Sequence, residues 1–321
     1  MKNFPFLITL LILALVTIAY KPTTNFCKLK CGDEKNIACD CGVRGGRKED
    51  LSDLNKFRKH ILNVHNDIRN SLASGTSTDI SLGSSPVSNM NVLSYDLELE
   101  YVARCYAVQH VFHRDRCRRT SKFENPGQFI ARFEKKARIE EIAQFIYDTF
   151  NNEKQNINTS TIDSYGGFRS GVNQKPIEDL TQMSWWSHTH IGCGRAYNPY
   201  PVFKMDGYVT VCNYGGFRNS NVVGEPVFKK GTACTECETK ATISTNSTDS
   251  TNSTDITNST NSSNTTDSGP CNSVYMKLCG TLEPIPTDSV QPIPSGGIEL
   301  QITNVFLIFG GCLCTSVFYM H

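Results

Sequence analysis

The residues with the most chemical potential in this 321-residue chain are its seven histidines, its fourteen cysteines and the acids near them. His188 and His190 alternate in Ser-His-Thr-His-Ile, so on a strand both rings would share a face and form half of a metal site. His110 and His113 stand three apart at a predicted helix end; for both pairs the plain alternative is an exposed loop histidine. Cys234-Thr-Glu-Cys237 has the spacing of a redox dithiol, of half a zinc site, or of a structural pair drawing in Cys271 and Cys279. The sequence contains no G-x-S-x-G elbow and no H-E-x-x-H zinc motif.

What the cysteines can do depends on compartment. Lys2, the apolar run Leu7 to Ile18 and the small residues Thr17 and Ala19 read as a secretory signal over 1–19, cleaved after Ala19. The competing reading, an uncleaved anchor, is disfavoured because the run falls short of the roughly 20 residues that span a bilayer. In an oxidising compartment the cysteines pair, which argues against a thiol nucleophile. Cys312 and Cys314 lie in the apolar tail Val305 to Tyr319; without them an even twelve remain.

That tail follows Ser295-Gly296-Gly297 and a short polar stretch, the layout of a GPI signal over 298–321 with attachment at Ser295 or Gly296. A single-pass helix and a buried tail are the alternatives; the run is short and no Lys or Arg follows it. The expected location is extracellular, either secreted or GPI-anchored on the outer cell surface, with membrane contact only through that anchor. A formal net charge of +1 implies no nucleic-acid partner.

The elements that must position these residues follow from periodicity. Residues 20–50 are polar and carry Cys27, Cys31, Cys39 and Cys41, so cross-links must hold them to the domain. Phe57, Ile61, Val64, Ile68 and Leu72 form a helical stripe capped by Ser52 or Asp53 and ended by Gly75. Ser94 can cap a second helix through Leu97, Tyr101 and Val102 toward His110. A third spans about Ile139 to Glu153, with Ile142, Phe145, Ile146, Thr149 and Phe150 inward. Ile191–Tyr197 and Tyr208–Tyr214 alternate as strands around Asn198-Pro-Tyr-Pro201, a hairpin with a long loop. Helices followed by strands predict an α+β layered fold.

Trp185, Trp186, Tyr197, Tyr200, Phe203, Tyr208 and Tyr214 gather at the hairpin, either as core or as an apolar groove for a lipid or sterol. Residues 241–268 collapse to Ser, Thr, Asn and Asp, a composition that buries no core and predicts an extended stalk. Asn246, Asn252, Asn258, Asn261 and Asn264 each open an N-x-[ST] glycosylation acceptor there, and Asn158 opens another in the domain.

Several segments, taken in order, resemble the CAP superfamily and within it the insect antigen-5, or venom allergen, proteins. His65-Asn66-Asp67-Ile68-Arg69 matches H-N-x-x-R. Met90 to Tyr101 resembles M-x-x-L-x-W-x-x-x-L-A, with Tyr95 at the Trp position. Gly127-Gln128 resembles G-Q-N, and Phe150-Asn-Asn-Glu153 resembles W-x-x-E. Thr181-Gln-Met-Ser-Trp185, continued by Ile191-Gly-Cys-Gly194, resembles the first CAP signature. Val211-Cys-Asn-Tyr214 resembles the second, with Gly224 to Gly231 as its antigen-5 ending. The likeness covers Cys27 to Cys237.

The resemblance implies a disulfide-stabilised, three-layer α-β-α sandwich over 51–233. It implies a Cys193–Cys212 bridge across the hairpin, and pairing of the N-terminal cysteines internally and with Cys105 and Cys117. Here the chain departs from the family, whose usual helix-two cysteine falls at His110. Cys234 and Cys237 take the place of the family's C-x-x-C hinge over 234–240, ahead of the stalk and a short Cys- and Pro-containing segment over 269–297.

The family cleft holds two His and two acids able to bind a divalent cation. Its positions here become His65, Gln128, Glu153 and Asp179, so one acid is an amide and one His a carboxylate. Such a remnant is a poor zinc site, and no cofactor or resident metal is expected. The expected function is a non-enzymatic extracellular binding module for a protein or a small hydrophobic ligand. The alternative is a metal-dependent hydrolase using the degenerate cleft.

Overall fold

In the computed structural model, which describes residues 19–42, 47–75, 85–109, 113–201, 204–238 and 271–294, the first predicted helix is α1 (Leu54–Ser74). Phe57, Ile61, Ile68 and Leu72 of its stripe are buried. Asp53 stands at its N-cap position in a left-handed conformation and makes no side-chain cap; Ser52 donates its hydroxyl to Asp50 instead.

The second helix, α2 (Leu97–Ala107), is capped by Asp96 and not by Ser94. The Asp96 carboxylate accepts from the Glu98 and Leu99 amides at 2.8 and 2.9 Å. Ser94 cannot cap because Ser94–Tyr95 is a short strand, β2, paired in parallel with β4 (His188–Tyr197). The helix also stops short of His110, which lies outside the described residues. The third helix, α3 (Ile139–Lys154), buries Ile139, Ile142, Ile146, Phe150 and Glu153.

The sheet runs in the order β1-β4-β5-β3, with β1 at Lys48–Glu49, β3 at Gly127–Phe133 and β5 at Tyr208–Gly216. β4 and β5 form the expected hairpin, with Cys193 opposite Cys212 and bonded to it. The Gly-Cys-Gly triplet explains how helices cover both faces. A Cβ on Gly192 would lie 2.2 Å from the Glu100 amide nitrogen, and one on Gly194 would lie 2.5 Å from Arg104 Cα. Glycines therefore let α2 press onto one face, while Cys193 points to the other.

On the α2 side, Val102, Ala103 and Tyr106 pack with Val209, Val211 and Phe26. On the opposite side, α1, α3 and α5 (Glu178–Ser184) enclose the larger core, which contains Phe129, Trp185 and Tyr214. The result is the three-layer α-β-α sandwich.

Among the described residues, six disulfides staple it. Cys27–Cys39, Cys31–Cys117 and Cys41–Cys105 fold the N-terminal segment onto α2 and the loop that follows it. Cys234 and Cys237 do not bond to each other; they bond to Cys271 and Cys279.

The Cys- and Pro-containing segment packs against the domain. Residues 271–294 are a strap running back over the domain, and Leu278 is fully buried in the larger core. The Cys279 amide donates to the Met90 carbonyl at 2.7 Å, and Val92 donates to the Cys279 carbonyl at 2.9 Å. Arg58, itself fully buried and paired with Glu100, donates to the carbonyls of Pro286 and Asp288. Arg104 donates to the Gln291 carbonyl, and the Tyr20 amide donates to the Ser289 carbonyl.

The Cα atoms of Cys234 and Cys271 are 5.5 Å apart, so the tract they flank leaves and rejoins the domain at one place. The stretch preceding the tail begins at Ser295. Ser295, Gly296, the tail, the signal segment 1–18 and Asn246, Asn252, Asn258, Asn261 and Asn264 lie outside the described residues. Asn158 caps the short α4 (Thr159–Asp163) through its side-chain oxygen, 2.9 Å from the Thr161 amide. Among the described residues, no helix is long and apolar enough to cross a membrane.

Candidate functional site

The three defining residues of the H-N-x-x-R motif on α1 are inside the protein: His65, Asn66 and Arg69 are all 0% exposed. Asn66 donates to the Leu93 carbonyl and accepts from the Leu93 amide, at 2.9 and 2.8 Å. Arg69 gathers the carbonyls of Asn91, Met183, Trp185, Trp186 and His188 at 2.8–3.4 Å. Burial lowers its pKa to about 9. The motif thus ties α1 to β2 and to the chain linking α5 and β4.

His65 is equally committed. Its Nδ1 lies 2.8 Å from the Ile61 carbonyl, which can only accept, so the ring proton sits on Nδ1. Its Nε2 then accepts from the Tyr214 hydroxyl at 2.9 Å. Burial, reinforced by the charge of Arg69, holds its pKa down at about 4, so the ring is neutral.

A polar cavity of about 360 Å³ lies between the 114–128 region, α5 and the loop after β5. Gln128 opens β3 and is the one of the four cleft positions that lines the cavity. Its amide is saturated: Nε2 donates to Asp115 at 2.5 Å and Asn213 at 3.1 Å, and Oε1 accepts from the Asp115 amide. Asp179 lies behind Arg114, whose guanidinium bridges Glu178 and Asp179. Burial and neighbouring Glu178 raise the Asp179 pKa, and Arg114 opposes that rise.

Glu153, at the end of α3, accepts from the Leu180 amide at 2.7 Å, completing the N-terminus of α5 that lacks a side-chain cap of its own. Burial, aided by Asp179, raises its pKa to about 7.

These donors do not fit a cation. The Nε2 lone pair of His65 is used by Tyr214, Gln128 contributes a neutral amide, and Arg114 supplies the positive charge at Asp179. The bridging guanidinium already does electrostatically what a bound ion would do there.

His188 and His190 are not on one face. A register shift between them turns His188 inward, stacked on Tyr214 with ring centroids 5.2 Å apart, and His190 outward against Phe123. His113 is exposed. Trp185, Trp186, Tyr208 and Tyr214 belong to the larger core, Tyr200 is exposed, and Phe203 lies outside the described residues. The sequence reading passed over Arg114, which carries no motif, and missed Tyr214 as the partner of His65. Pairing across 149 residues has no local signal.

Residues 62–214 match the sequence profile of the Cysteine-rich secretory protein family, CAP. The chain is 32% identical over 213 residues to Venom allergen 5 of Vespula maculifrons, covering 64% of this chain and 90% of that one. It is 30% identical over 213 residues to Venom allergen 5 of Vespa velutina, covering 64% and 99%. The crystal structure of Na-ASP-1 aligns with a TM-score of 0.46 at 25% identity, covering 57% of this chain and 43% of that one.

Proposed function

The chain belongs to the CAP family of cysteine-rich secretory proteins, and from that premise we propose that it is a non-enzymatic binding module acting outside the cell. The observation that carries this reading is Arg114 bridging Glu178 and Asp179. An acidic cleft neutralised by its own guanidinium has no need of a metal and no electrophile to offer a substrate. The cavity wall is polar, with Pro126 and Val222 its main apolar side chains. It favours a polar group presented by an extracellular partner over a lipid or sterol.

The experiment is metal analysis of the purified protein after dialysis against zinc. The expected result is no stoichiometric metal. Zinc bound one to one and lost on His65→Ala would overturn the reading in favour of a metal-dependent hydrolase. The feature favouring that hydrolase is Glu153, whose pKa of about 7 suits a general acid or base. Its carboxylate is occupied at the start of α5, however.

Surface tethering through the C-terminal tail is the second part of the proposal. It is supported by the small-residue, spacer and apolar-tail pattern of 295–321. Phosphatidylinositol-specific phospholipase C should release the protein from expressing cells. Retention on cells whose control anchor is cut would mean a spanning tail, and full-length protein free in the medium would mean no tether.

A further inference from the structure

We propose that the cleft beside Gln128 binds a neutral, polyhydroxylated ligand, a short stretch of glycan; this rests on the reading of the chain as a binding module and names its ligand class. Every charged side chain on the cleft wall already has an opposite charge within about 3 Å. Arg114 bridges Glu178 and Asp179, Arg116 meets Glu34, Arg118 meets Asp115, and Glu124 meets Arg119. An ionic ligand would compete with the partly buried pairs at Arg114 and Arg118, whereas a neutral one would not.

What remains on the wall is hydrogen-bonding capacity without charge. Asn125, Gln182, Asn219, Ser220 and Asn221 supply it. Gln128 is saturated, but two amide oxygens are not: Gln182 Oε1 and Asn221 Oδ1 are buried and have no hydrogen-bond partner. Gln182 is only 4% exposed, and its Nε2 is fixed to the Ser220 hydroxyl, so its oxygen is a preset acceptor. Asn221 is fixed in the same way, its Nδ2 donating to the Glu178 carbonyl.

Buried acceptors that lack donors cost stability, and they are satisfied by a ligand rich in hydroxyl donors. Gly127 lets the Gln182 amide lie against the backbone of β3: a Cβ there would lie 1.8 Å from Gln182 Oε1. The volume of about 360 Å³ falls at the small end of the roughly 300–1,000 Å³ of small-molecule sites. Asn219 and Val222 also line a second hollow of about 210 Å³ that reaches the edges of the buried Trp185 and Trp186.

The glycan has two possible sources. One is a glycoprotein on another surface. The other is this chain itself: Glu238, the last described residue before the Asn-rich tract, is paired with Arg218, one residue from Asn219 on the cleft wall.

The test uses the full chain from a eukaryotic secretory host, before and after enzymatic removal of N-linked glycans. It is titrated with mannotriose, chitotriose and N-acetyllactosamine, and with a heparin tetrasaccharide as the charged comparison. The two tryptophans of the chain, Trp185 and Trp186, report binding by fluorescence. At least one neutral probe should bind the deglycosylated protein saturably. Gln182→Met and Asn221→Gly should each weaken that binding about tenfold, the worth of one hydrogen bond. Glycine suits position 221, where φ is +51°, and thermal unfolding of both variants establishes that they fold.

Weaker binding before deglycosylation assigns the site to the chain's own glycans; equal binding assigns it to another molecule's. Saturation by no neutral probe, binding by the heparin fragment alone, or indifference to both substitutions overturns the proposal. Cleavage of a bound probe would leave the ligand class standing and overturn the non-enzymatic reading.

Discussion

The Tyr214 hydroxyl donates to Nε2 of His65 across 2.9 Å, with both residues fully buried. Tyr214→Phe removes the donor and leaves the ring nitrogen without a partner. The expected loss is about 1–3 kcal/mol of unfolding free energy, read from urea denaturation. A loss near zero would mean that the pair does not form.

Arg114 neutralises two carboxylates at once, and its side chain is 27% exposed. Arg114→Met retains the aliphatic stem and removes the charge. It should cost roughly 1–3 kcal/mol, between the values of exposed and buried pairs. The pKa values of Glu153 and Asp179 should also rise, since Arg114 lowers both. Carboxyl chemical shifts followed through a pH titration check the second effect.

Glu153 makes stability depend on pH. Its carboxyl stands at about 7 in the folded protein against an ordinary 4.5, so the folded state holds the proton more tightly than the unfolded chain. Stability from this group is complete below about 4.5 and is lost as pH rises through about 7. His65, depressed to about 4, acts oppositely: its stabilisation is present above its ordinary value of 6.5 and is lost as pH falls toward 4. The two therefore overlap in wild type, and the difference curve isolates Glu153. The melting temperature of Glu153→Gln minus that of wild type should be small at pH 4.5 and largest near pH 8. A flat difference would falsify the assignment.

Limited proteolysis tests the path of the chain at its C-terminal end. A single cut between Cys237 and Cys271 should leave two fragments joined by Cys234–Cys271 and Cys237–Cys279. They should migrate together without reductant and separate with it. Fragments that part without reductant would contradict both bridges.

The strap should depend on Arg58. Arg58→Leu strands Glu100, which is 0% exposed, and removes the donor to two strap carbonyls. A cost of about 3–5 kcal/mol is expected. Hydrogen exchange should rise at Val290 and Ile293 before it rises in α1.

Much of this architecture was legible locally. The stripe of α1, the inward face of α3 and the alternation of the hairpin each repeat with the period of their element, so burial follows from spacing. The helix-two cap shows where local reading ends. Ser94 and Asp96 are both good caps, and Asp96 wins because strand pairing claims Ser94. His188 and His190 failed for a similar reason: the bulge that parts them is imposed by pairing with Gly216 and Gly215 on β5.

By itself, the sequence determined the compartment expected, the number of cysteines to be paired, the order of helices and strands, and the family, because these reside in composition, periodicity and short motifs. Only the tertiary structure decided what the motif residues do. It made His65, Asn66 and Arg69 into buried ties, placed Arg114 on the acids of the cleft, and returned residues 271–294 to the core. Each of those outcomes depends on partners tens to hundreds of positions away. A hydrogen bond or ion pair between such residues exists only once the folded chain has already closed the loops between them.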